Sequence, residues 1–235
     1  MNNTDQEHYV QRMARVNVTA QDYYAPQDAG VGVGASALEV LEKATGEKVS
    51  TAHRCLEIGC AGGDLLRALK SRGCQKVIGV EIVPMAKEQC ADCTDELYIC
   101  DVSHSAEYVT GEDCIDFAFC TETIEHLTNP YFMFANVKRM LKHNGYFVLS
   151  FPDPSDNLGT EGGQHAHVYP HFLMKESFEL FARQLYFRVR HYHQNGASAW
   201  YVLQNVKQGG KMVDVFEMIA GNYNSDAIYG WIDKQ

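Results

Sequence analysis

Short apolar segments recur along most of the chain, and turn-forming or acidic residues follow each of them. The segments lie at residues 55–58, 77–80, 97–100, 115–119 and 146–151. Their length suits buried strands, and apolar residues at helical spacing lie between several of them. Strands that alternate with helices predict an α/β fold with a parallel, doubly wound sheet. Ligands of such sheets bind at the carboxyl ends of the strands.

The helical segments can be placed from their apolar stripes and their caps. Residues 35–44 and 175–184 each carry apolar side chains at helical spacing, which predicts a helix at both places. Asn129 followed by Pro130 is a typical helix start. We expect that helix to extend close to Gly145, with this glycine in the left-handed position just after its end.

The pattern also suggests how the chain is divided. Two further strands are predicted at 187–192 and 200–206. An aromatic and glycine-rich N-terminal segment contains Tyr23 and Tyr24, and it is either a surface arm or a lid, with Tyr24 as a candidate substrate contact. The predicted boundaries are an N-terminal arm or lid at 1–35, one domain at 36–207 and a C-terminal tail packed on that domain at 208–235.

A glycine-rich turn at 54–64 connects the first predicted strand to a helix. Its small residues allow a ligand to approach the backbone, and the helix that follows offers unpaired N–H groups. The spacing does not fit the dinucleotide pattern G-x-G-x-x-G, which would need three glycines in register. It fits acid-x-G-x-(G/A)-x-G instead, with Glu57, Gly59, Ala61 and Gly63.

Acidic residues follow the second and third predicted strands. Glu81 lies at the carboxyl end of the second strand, where a carboxylate can accept hydrogen bonds from both hydroxyls of a ribose. Asp101 follows the third strand, where it could contact a ligand or cap the next turn. The glycine turn and Glu81 together predict a nucleotide-type cofactor site.

Composition narrows the range of partners. The formal net charge is -10, and no basic run is present, which argues against a general binder of nucleic acids. A small-molecule substrate is the better expectation. No run of 18 apolar residues occurs and the N-terminus is polar, so we expect a cytoplasmic protein without a membrane span.

The eight cysteines are expected to be reduced, because no secretory signal is recognised and several of them lie in predicted strands. Cys90 and Cys93 have the spacing of zinc ligands, but no second matching pair is present. We therefore interpret them as ordinary thiols.

Taken in order, these motifs resemble the class I S-adenosylmethionine-dependent methyltransferases. The resemblance covers about residues 50–206 and includes the glycine turn, the two strand-end acids and Glu125-His126-Leu-Thr-Asn-Pro130 after the fourth strand. It implies a Rossmann-like, mostly parallel seven-stranded sheet with an antiparallel strand pair at the C-terminal end. It also implies S-adenosylmethionine as cofactor, held by Glu57, Gly59, Cys60, Ala61, Gly63, Glu81, Ile82, Asp101, Val102, Cys120 and Thr121.

Methyl transfer from a sulfonium needs an acceptor held in line, water excluded and, for a hydroxyl acceptor, a group that removes a proton. Candidates should follow the fourth strand, and an imidazole titrates near working pH. His126 is therefore the predicted general base or substrate contact, with Glu125 as its catalytic neighbour. The alternative is a histidine that only stabilises the start of a helix. A hydroxyl of a small molecule is the favoured acceptor.

A metal-assisted variant is the second interpretation. Glu122, Glu125 and His126 would share one helix face if the helix began early, and they could then bind Mg²⁺ or Mn²⁺. The E-x-x-E-H string is similar to that of metal-dependent O-methyltransferases acting on polyprenylated catechols and on small-RNA 3′ ends. Their further histidine would correspond to His165 or His167, which are otherwise candidate substrate contacts.

Two other classes share parts of this pattern. A module that binds the cofactor without turnover would keep Glu81 and the glycine turn, but it would not need the polar residues after the fourth strand. A nicotinamide-dependent oxidoreductase shares the fold, although the glycine spacing disfavours it.

Overall fold

The computed structural model describes residues 33–153, 170–195 and 198–206. The helices are α1 (Val33–Thr45), α2 (Asp64–Ser71), α3 (Ala86–Gln89), α4 (Pro130–Met140), α5 (Pro170–Leu173) and α6 (Lys175–Gln184), with a 3₁₀ turn at Ile124–His126. The strands are β1 (Arg54–Ile58), β2 (Lys76–Glu81), β3 (Glu96–Ile99), β4 (Ile115–Thr121), β5 (Leu141–Pro152), β6 (Phe187–Asn195) and β7 (Ser198–Asn205). The predicted helix at 175–184 is confirmed to the residue.

All seven strands belong to one sheet in the order β3-β2-β1-β4-β5-β7-β6. The first five are parallel, and β7 runs antiparallel to both β5 and β6. The predicted Rossmann-like sheet with an antiparallel C-terminal pair is confirmed. The order reverses between β1 and β4, which is where such sheets bind ligands.

Helices cover both faces of the sheet, because side chains alternate along each strand. Along β1, Leu56 packs with α4 and α6, while Cys55 packs with α1 and α2. The α4 and α6 face is rich in aromatic contacts, with Phe134 ring centroids 5.3 Å from Phe147 and 4.9 Å from Phe181. Both faces of the sheet are therefore covered by packed side chains.

Helix α4 begins as the sequence predicts, and it ends earlier. The side chain of Asn129 accepts a hydrogen bond from Phe132 N, and Pro130 occupies the first turn. The helix stops at Met140, however, and Leu141 already pairs with Ile115 in the sheet. The left-handed residue is Asn144, with φ 64°, so the prediction for Gly145 was wrong. Gly145 is needed for space, because an added Cβ would lie 2.9 Å from the Asp116 carbonyl oxygen.

A buried lysine fastens the C-terminal strand pair to α4. Lys138 is 5% exposed, and its Nζ donates to the carbonyl oxygens of Tyr186 at 2.7 Å and Val206 at 3.5 Å. The same ammonium lies 4.6 Å from the centroid of the Phe187 ring. Tyr186 and Val206 lie next to each other where β6 begins and β7 ends, so these contacts join that end of the strand pair to α4.

None of the helices in the described ranges is long and apolar enough to cross a membrane.

Candidate functional site

The glycine turn between β1 and α2 has three residues with positive φ. They are Gly59 at 73°, Ala61 at 44° and Gly63 at 86°. A Cβ on Gly59 would lie 2.1 Å from Thr123 Oγ1, and one on Gly63 would lie 2.8 Å from Cys90 Sγ. Both glycines are thus required by conformation and by space. Ala61 adopts a backbone conformation that costs a side-chain-bearing residue on the order of 1 kcal/mol.

Glu81 at the end of β2 holds this turn in place. Its Oε2 accepts a hydrogen bond from Ala61 N at 2.9 Å, and its Oε1 accepts from Ile82 N at 2.8 Å and Val83 N at 3.2 Å. A buried carboxylate therefore lies directly beside the turn that the sequence predicts to hold the cofactor. The two strongest motifs of the sequence meet at one place.

Glu57 lies underneath the turn and is buried. Its Oε2 has no hydrogen-bond partner. Burial raises the pKa of the Glu57 carboxyl well above its usual value, and the neighbouring Cys90 and Glu81 raise it further, while a backbone hydrogen bond from Leu66 at the start of α2 opposes the shift. Glu57 thus contacts the glycine turn from the interior of the protein.

Asp101 is both a turn cap and a partly exposed carboxylate. Its Oδ1 accepts from Ser103 N at 2.8 Å, and its Oδ2 lies 3.0 Å from Nδ1 of His104. The capping role and the predicted ligand contact are compatible, because 22% of the Asp101 side-chain surface is exposed. Val102, the other predicted contact after β3, is buried.

The segment after β4 crosses close to the glycine turn. Cys120 is buried at the end of β4, and Thr121 is its last residue. Glu122 then takes a positive φ of 47° and forms two hydrogen bonds with Ser150 on β5. Thr123 follows and packs against Gly59.

The early helix start that would place Glu122, Glu125 and His126 on one face is absent from this part of the described chain. Only Ile124–His126 forms a turn of 3₁₀ helix, and the left-handed backbone of Glu122 keeps that residue out of it. Within the described ranges, no group of three or more histidine, cysteine, aspartate or glutamate side chains has the geometry to hold a metal ion.

Glu125 and His126 form a pair in which Glu125 is buried and His126 is half-buried. Glu125 is 1% exposed, and neither of its carboxyl oxygens has a hydrogen-bond partner. Oε1 lies 3.6 Å from His126 Nε2, which is too long for a hydrogen bond but close enough for a charge interaction. Burial, followed by the charge of Glu122, raises the pKa of the Glu125 carboxyl well above its usual value. This combination of burial and a like charge is typical of functional carboxyls.

The sequence analysis missed residues that shape the site. Ser150 is the polar residue inside the apolar segment 146–151, and that interruption was the available signal. Thr123 had no distinguishing signal. The candidate substrate contacts Tyr24, His165 and His167 lie outside the described residues.

Comparison with known proteins identifies the family. A model of the methyltransferase domain family matches residues 28–209, so the chain belongs to this family. The expectation of a class I S-adenosylmethionine-dependent methyltransferase is thereby confirmed at the level of family and fold. The oxidoreductase interpretation has no support in this match.

One curated relative is similar to part of the chain. Ubiquinone biosynthesis O-methyltransferase of Glaesserella parasuis is 28% identical over 106 residues, which is 41% of this chain and 44% of that protein. The match thus spans less than half the length of the relative.

The structural neighbours share the fold at low identity. A chain from the complex of the Haloferax volcanii Trm112 methyltransferase activator with its methyltransferase has a TM-score of 0.65 and 12% identity, covering 86% of this chain and 99% of that one. The Burkholderia thailandensis 1,6-didemethyltoxoflavin-N1-methyltransferase with bound S-adenosylhomocysteine has a TM-score of 0.59 and 14% identity, covering 86% and 90%.

Proposed function

We propose that the protein transfers a methyl group from S-adenosylmethionine to a hydroxyl oxygen of a small molecule, with His126 as general base. The observation that carries this proposal is the pair of His126 and buried Glu125, which follows β4 at the carboxyl edge of the sheet. The segment that carries the pair also contacts the glycine turn through Thr123. The similarity to an O-methyltransferase supports the choice of a hydroxyl acceptor.

The cofactor assignment rests on the chemistry around the glycine turn. Positive φ at Gly59, Ala61 and Gly63 lets the backbone approach a ligand closely, and α2 begins directly after it. Glu81 supplies a carboxylate for ribose hydroxyls, and Asp101 supplies a second one further along the edge. When bound, S-adenosylmethionine provides the methyl group on a positively charged sulfur.

The roles of the two catalytic candidates follow from their positions. His126 Nε2 lies 3.6 Å from Glu125 Oε1, and we assign to the His126 imidazole the removal of the proton from the acceptor hydroxyl. Burial favours the neutral Glu125 carboxyl, but a positive charge on His126 favours its ionised form, so the imidazolium and the carboxylate stabilise each other once the proton has been taken up. Glu125 thus supports the base and does not itself touch the acceptor.

The test is a methyl-transfer assay with the full chain and a panel of catechol, alcohol and amine acceptors. We expect turnover with hydroxyl acceptors, and His126→Asn should lower kcat by about 10²–10⁴-fold, the usual contribution of a general base. Binding of S-adenosylhomocysteine should be unchanged. His193→Asn, on the exposed edge strand β6, is the matched control and should keep full activity. Turnover of amines alone, or a His126→Asn enzyme within a few-fold of wild type, would overturn the proposal.

Metal assistance is the second candidate, and the unpaired oxygens of buried Glu125 close to Glu122 are what favour it. The fit is incomplete, because the described residues do not form a metal site. We therefore assign no step to a metal. Activity that survives EDTA, with no gain on adding Mn²⁺ or Mg²⁺, would support the metal-free mechanism. Activity that is lost in EDTA and restored only by the cation would support the metal-assisted mechanism instead.

A further inference from the structure

The segments that follow β3 and β4 meet, although these strands are not neighbours in the sheet. Strands β2 and β1 lie between them. Adjacent strands are about 4.8 Å apart, so the ends of β3 and β4 should be separated by roughly 14 Å. The hydroxyl of Ser103, in the turn after β3, nevertheless accepts a hydrogen bond from Thr128 N at 3.2 Å. The turn after β3 therefore reaches past two strands to the segment that carries His126.

Ser103 also belongs to the turn that is organised by Asp101. Its backbone N–H donates to Asp101 Oδ1 at 2.8 Å, and His104 Nδ1 lies 3.0 Å from Oδ2 of the same carboxyl group. The N–H groups of His104 and Ser105 both donate to the Asp101 carbonyl oxygen, at 3.1 and 2.8 Å. Ser103 is thus bonded to Asp101 through its backbone and to the segment after β4 through its side chain.

Both bonded segments are anchored in the core. Ser103 is buried, and so are Val102 and Leu127, the residues that precede Ser103 and Thr128. Val102 and Leu127 belong to the same apolar cluster, on the side of the sheet that α4 and α6 cover. The hydrogen bond therefore joins two segments whose neighbouring side chains are fixed by packing.

The tie ends close to the predicted general base. The 3₁₀ turn at Ile124–His126 closes with a hydrogen bond from Leu127 N to the Ile124 carbonyl oxygen at 3.2 Å. Thr128 comes directly after that turn and two residues after His126. Holding Thr128 N in place therefore sets the position at which the turn with His126 ends.

The cofactor would extend between the same two segments. Glu81 is assigned to the ribose, and β3 lies beside β2 on the side away from the glycine turn. Cys100 N donates to the Glu81 carbonyl oxygen at 3.0 Å, so Asp101 follows directly beyond the ribose position. The base of the nucleoside would therefore lie at Asp101, and the sulfur end would lie towards the glycine turn and His126.

We propose that Ser103 is a positioning residue for methyl transfer, which ties the segment of His126 to the turn that receives the base of the cofactor. The catalytic part of this inference rests on the proposed function, because it needs the cofactor at Asp101 and the base at His126. The tie between Ser103 and the segment of His126 does not depend on that function.

The tie matters for catalysis because a general base works only within hydrogen-bond reach of the proton that it removes. Cofactor and imidazole are held by different strands, and Ser103 joins their supports directly. Loss of the hydroxyl would leave the N–H bond from Ser103 to Asp101 intact, because that bond uses the backbone. Substitution of Ser103 should therefore displace His126 and leave the cofactor site in place.

The test follows the histidine ring signals of the full chain by NMR, with adenosine as the probe. Adenosine carries the base and the ribose but lacks the sulfur end, so it should not reach His126 itself. We expect the His104 signal to shift because its ring contacts the Asp101 carboxyl group, and the His126 signal to shift through Ser103. His53 before β1 and His143 early in β5 lie at the opposite edge of the sheet and should not respond.

Substitution of Ser103 should separate the two responses. In Ser103→Ala we expect adenosine to shift His104 as before and to leave His126 unmoved. The His126 signal should also differ from wild type in the ligand-free protein. Ser103→Cys keeps nearly the same side-chain volume with a weak acceptor, and it should give the same results if the alanine variant is unstable. His104→Ala, which leaves the bond to Thr128 in place, is the matched control and should retain the His126 shift.

Kinetics provide an independent measurement. With a hydroxyl acceptor, Ser103→Ala should lower kcat by about 10–100-fold, the effect of a small displacement of a reacting group. The KM for S-adenosylmethionine and the affinity for S-adenosylhomocysteine should change little. A raised KM with an unchanged kcat would mean that Ser103 serves cofactor binding only, and it would overturn the proposal.

Two NMR results would also overturn it. They are a His126 signal that adenosine does not move in the wild type while His104 shifts, and a His126 shift that persists in the Ser103 variants. If calorimetry detects binding of neither adenosine nor S-adenosylhomocysteine, the cofactor assignment fails instead. The ligand-free His126 signal then decides the tie, because an identical signal in wild type and Ser103→Ala would refute it.

Discussion

Ser150 on β5 and Glu122 after β4 are joined by two hydrogen bonds. The Ser150 hydroxyl donates to Glu122 Oε1 at 2.7 Å, and the Glu122 backbone N–H donates to the Ser150 carbonyl oxygen at 2.9 Å. Glu122 keeps a left-handed backbone between these two bonds. The pair fixes the path of the chain just before Glu125 and His126, and it orients the carboxylate that raises the pKa of Glu125.

Replacing Ser150 by alanine tests this pair. The Glu122 carboxylate would lose a buried donor, which typically costs about 1.5–3 kcal/mol for a charged hydrogen bond. We expect urea unfolding to detect this loss, and kcat to fall while the affinity for S-adenosylhomocysteine stays unchanged. Ser71→Ala removes an exposed hydroxyl that bonds only to the Ala68 carbonyl oxygen, and it should leave both quantities as they are. Equal effects of the two substitutions would contradict the role given to Ser150.

The Glu125 carboxyl should make stability depend on pH. Its pKa in the folded protein lies above the unfolded value of about 4.3, so the folded state binds the proton more tightly. The resulting stabilisation is complete below the unfolded pKa and is lost as pH rises through the folded pKa. Glu125→Gln should therefore raise the melting temperature at pH 8 and change it little at pH 4.

Melting curves from pH 4 to pH 9 measure this difference. The slope against pH should become shallower in Glu125→Gln without vanishing, because Glu57 is also buried with a raised pKa. Glu39→Gln, on the exposed side of α1, should follow the wild-type curve. Parallel curves for wild type and Glu125→Gln would show that Glu125 titrates normally in the folded state.

Gly59 is expected to tolerate no side chain. An alanine there would need φ 73° and would place its Cβ 2.1 Å from Thr123 Oγ1. We expect Gly59→Ala to reduce the free energy of unfolding by about 1–3 kcal/mol, the usual cost of a strained backbone, and to weaken cofactor binding. Adding Thr123→Gly should recover part of the loss by removing the clash.

Gly111→Ala is the control, because its Cβ would meet nothing closer than Cys114 Sγ at 3.7 Å and its φ is not positive. Calorimetric unfolding of the variants measures all three effects. A Gly59→Ala protein as stable as Gly111→Ala would mean that Thr123 does not pack on the turn as described.

Glu81 should contribute directly to cofactor affinity. Glu81→Ala removes the acceptor of three backbone N–H groups and the predicted partner of the ribose, and we expect binding of S-adenosylhomocysteine to weaken by roughly 1–3 kcal/mol. Glu81→Gln keeps the shape of the side chain, and its affinity for S-adenosylhomocysteine should lie between those of the wild type and Glu81→Ala. Glu107→Gln, an exposed acid in the connection after β3, should bind normally. Unchanged affinity in Glu81→Ala would remove this residue from the site.

The strands and most helices could be predicted because their signals are local. An apolar segment followed by Gly59 or by Glu81 already indicates a strand and its carboxyl end. The end of α4 was placed too late because the reason lies elsewhere in the chain. Leu141 finds a partner strand at Ile115, and that pairing competes with one more helical turn.

The sequence predicted which residues after β4 belong to the candidate site better than it predicted their geometry. Glu125 and His126 follow β4 as expected, but the left-handed backbone of Glu122 depends on Ser150, which is 28 residues away. The contact of Cys90 Sγ with the Ala61 carbonyl oxygen likewise joins two segments that nothing in the local pattern connects. Such contacts arise from the packing of neighbouring strands and cannot be read from spacing alone.

Lys138 has a consequence for how the chain folds. Its ammonium donates to the Tyr186 and Val206 carbonyl oxygens, which lie 48 and 68 residues further along. Losing acceptors for a buried ammonium costs several kcal/mol, so the arrival of β6 and β7 stabilises α4. Helix and strand pair should therefore consolidate in a single cooperative step, and a nascent chain that ends before β6 should hold α4 only loosely.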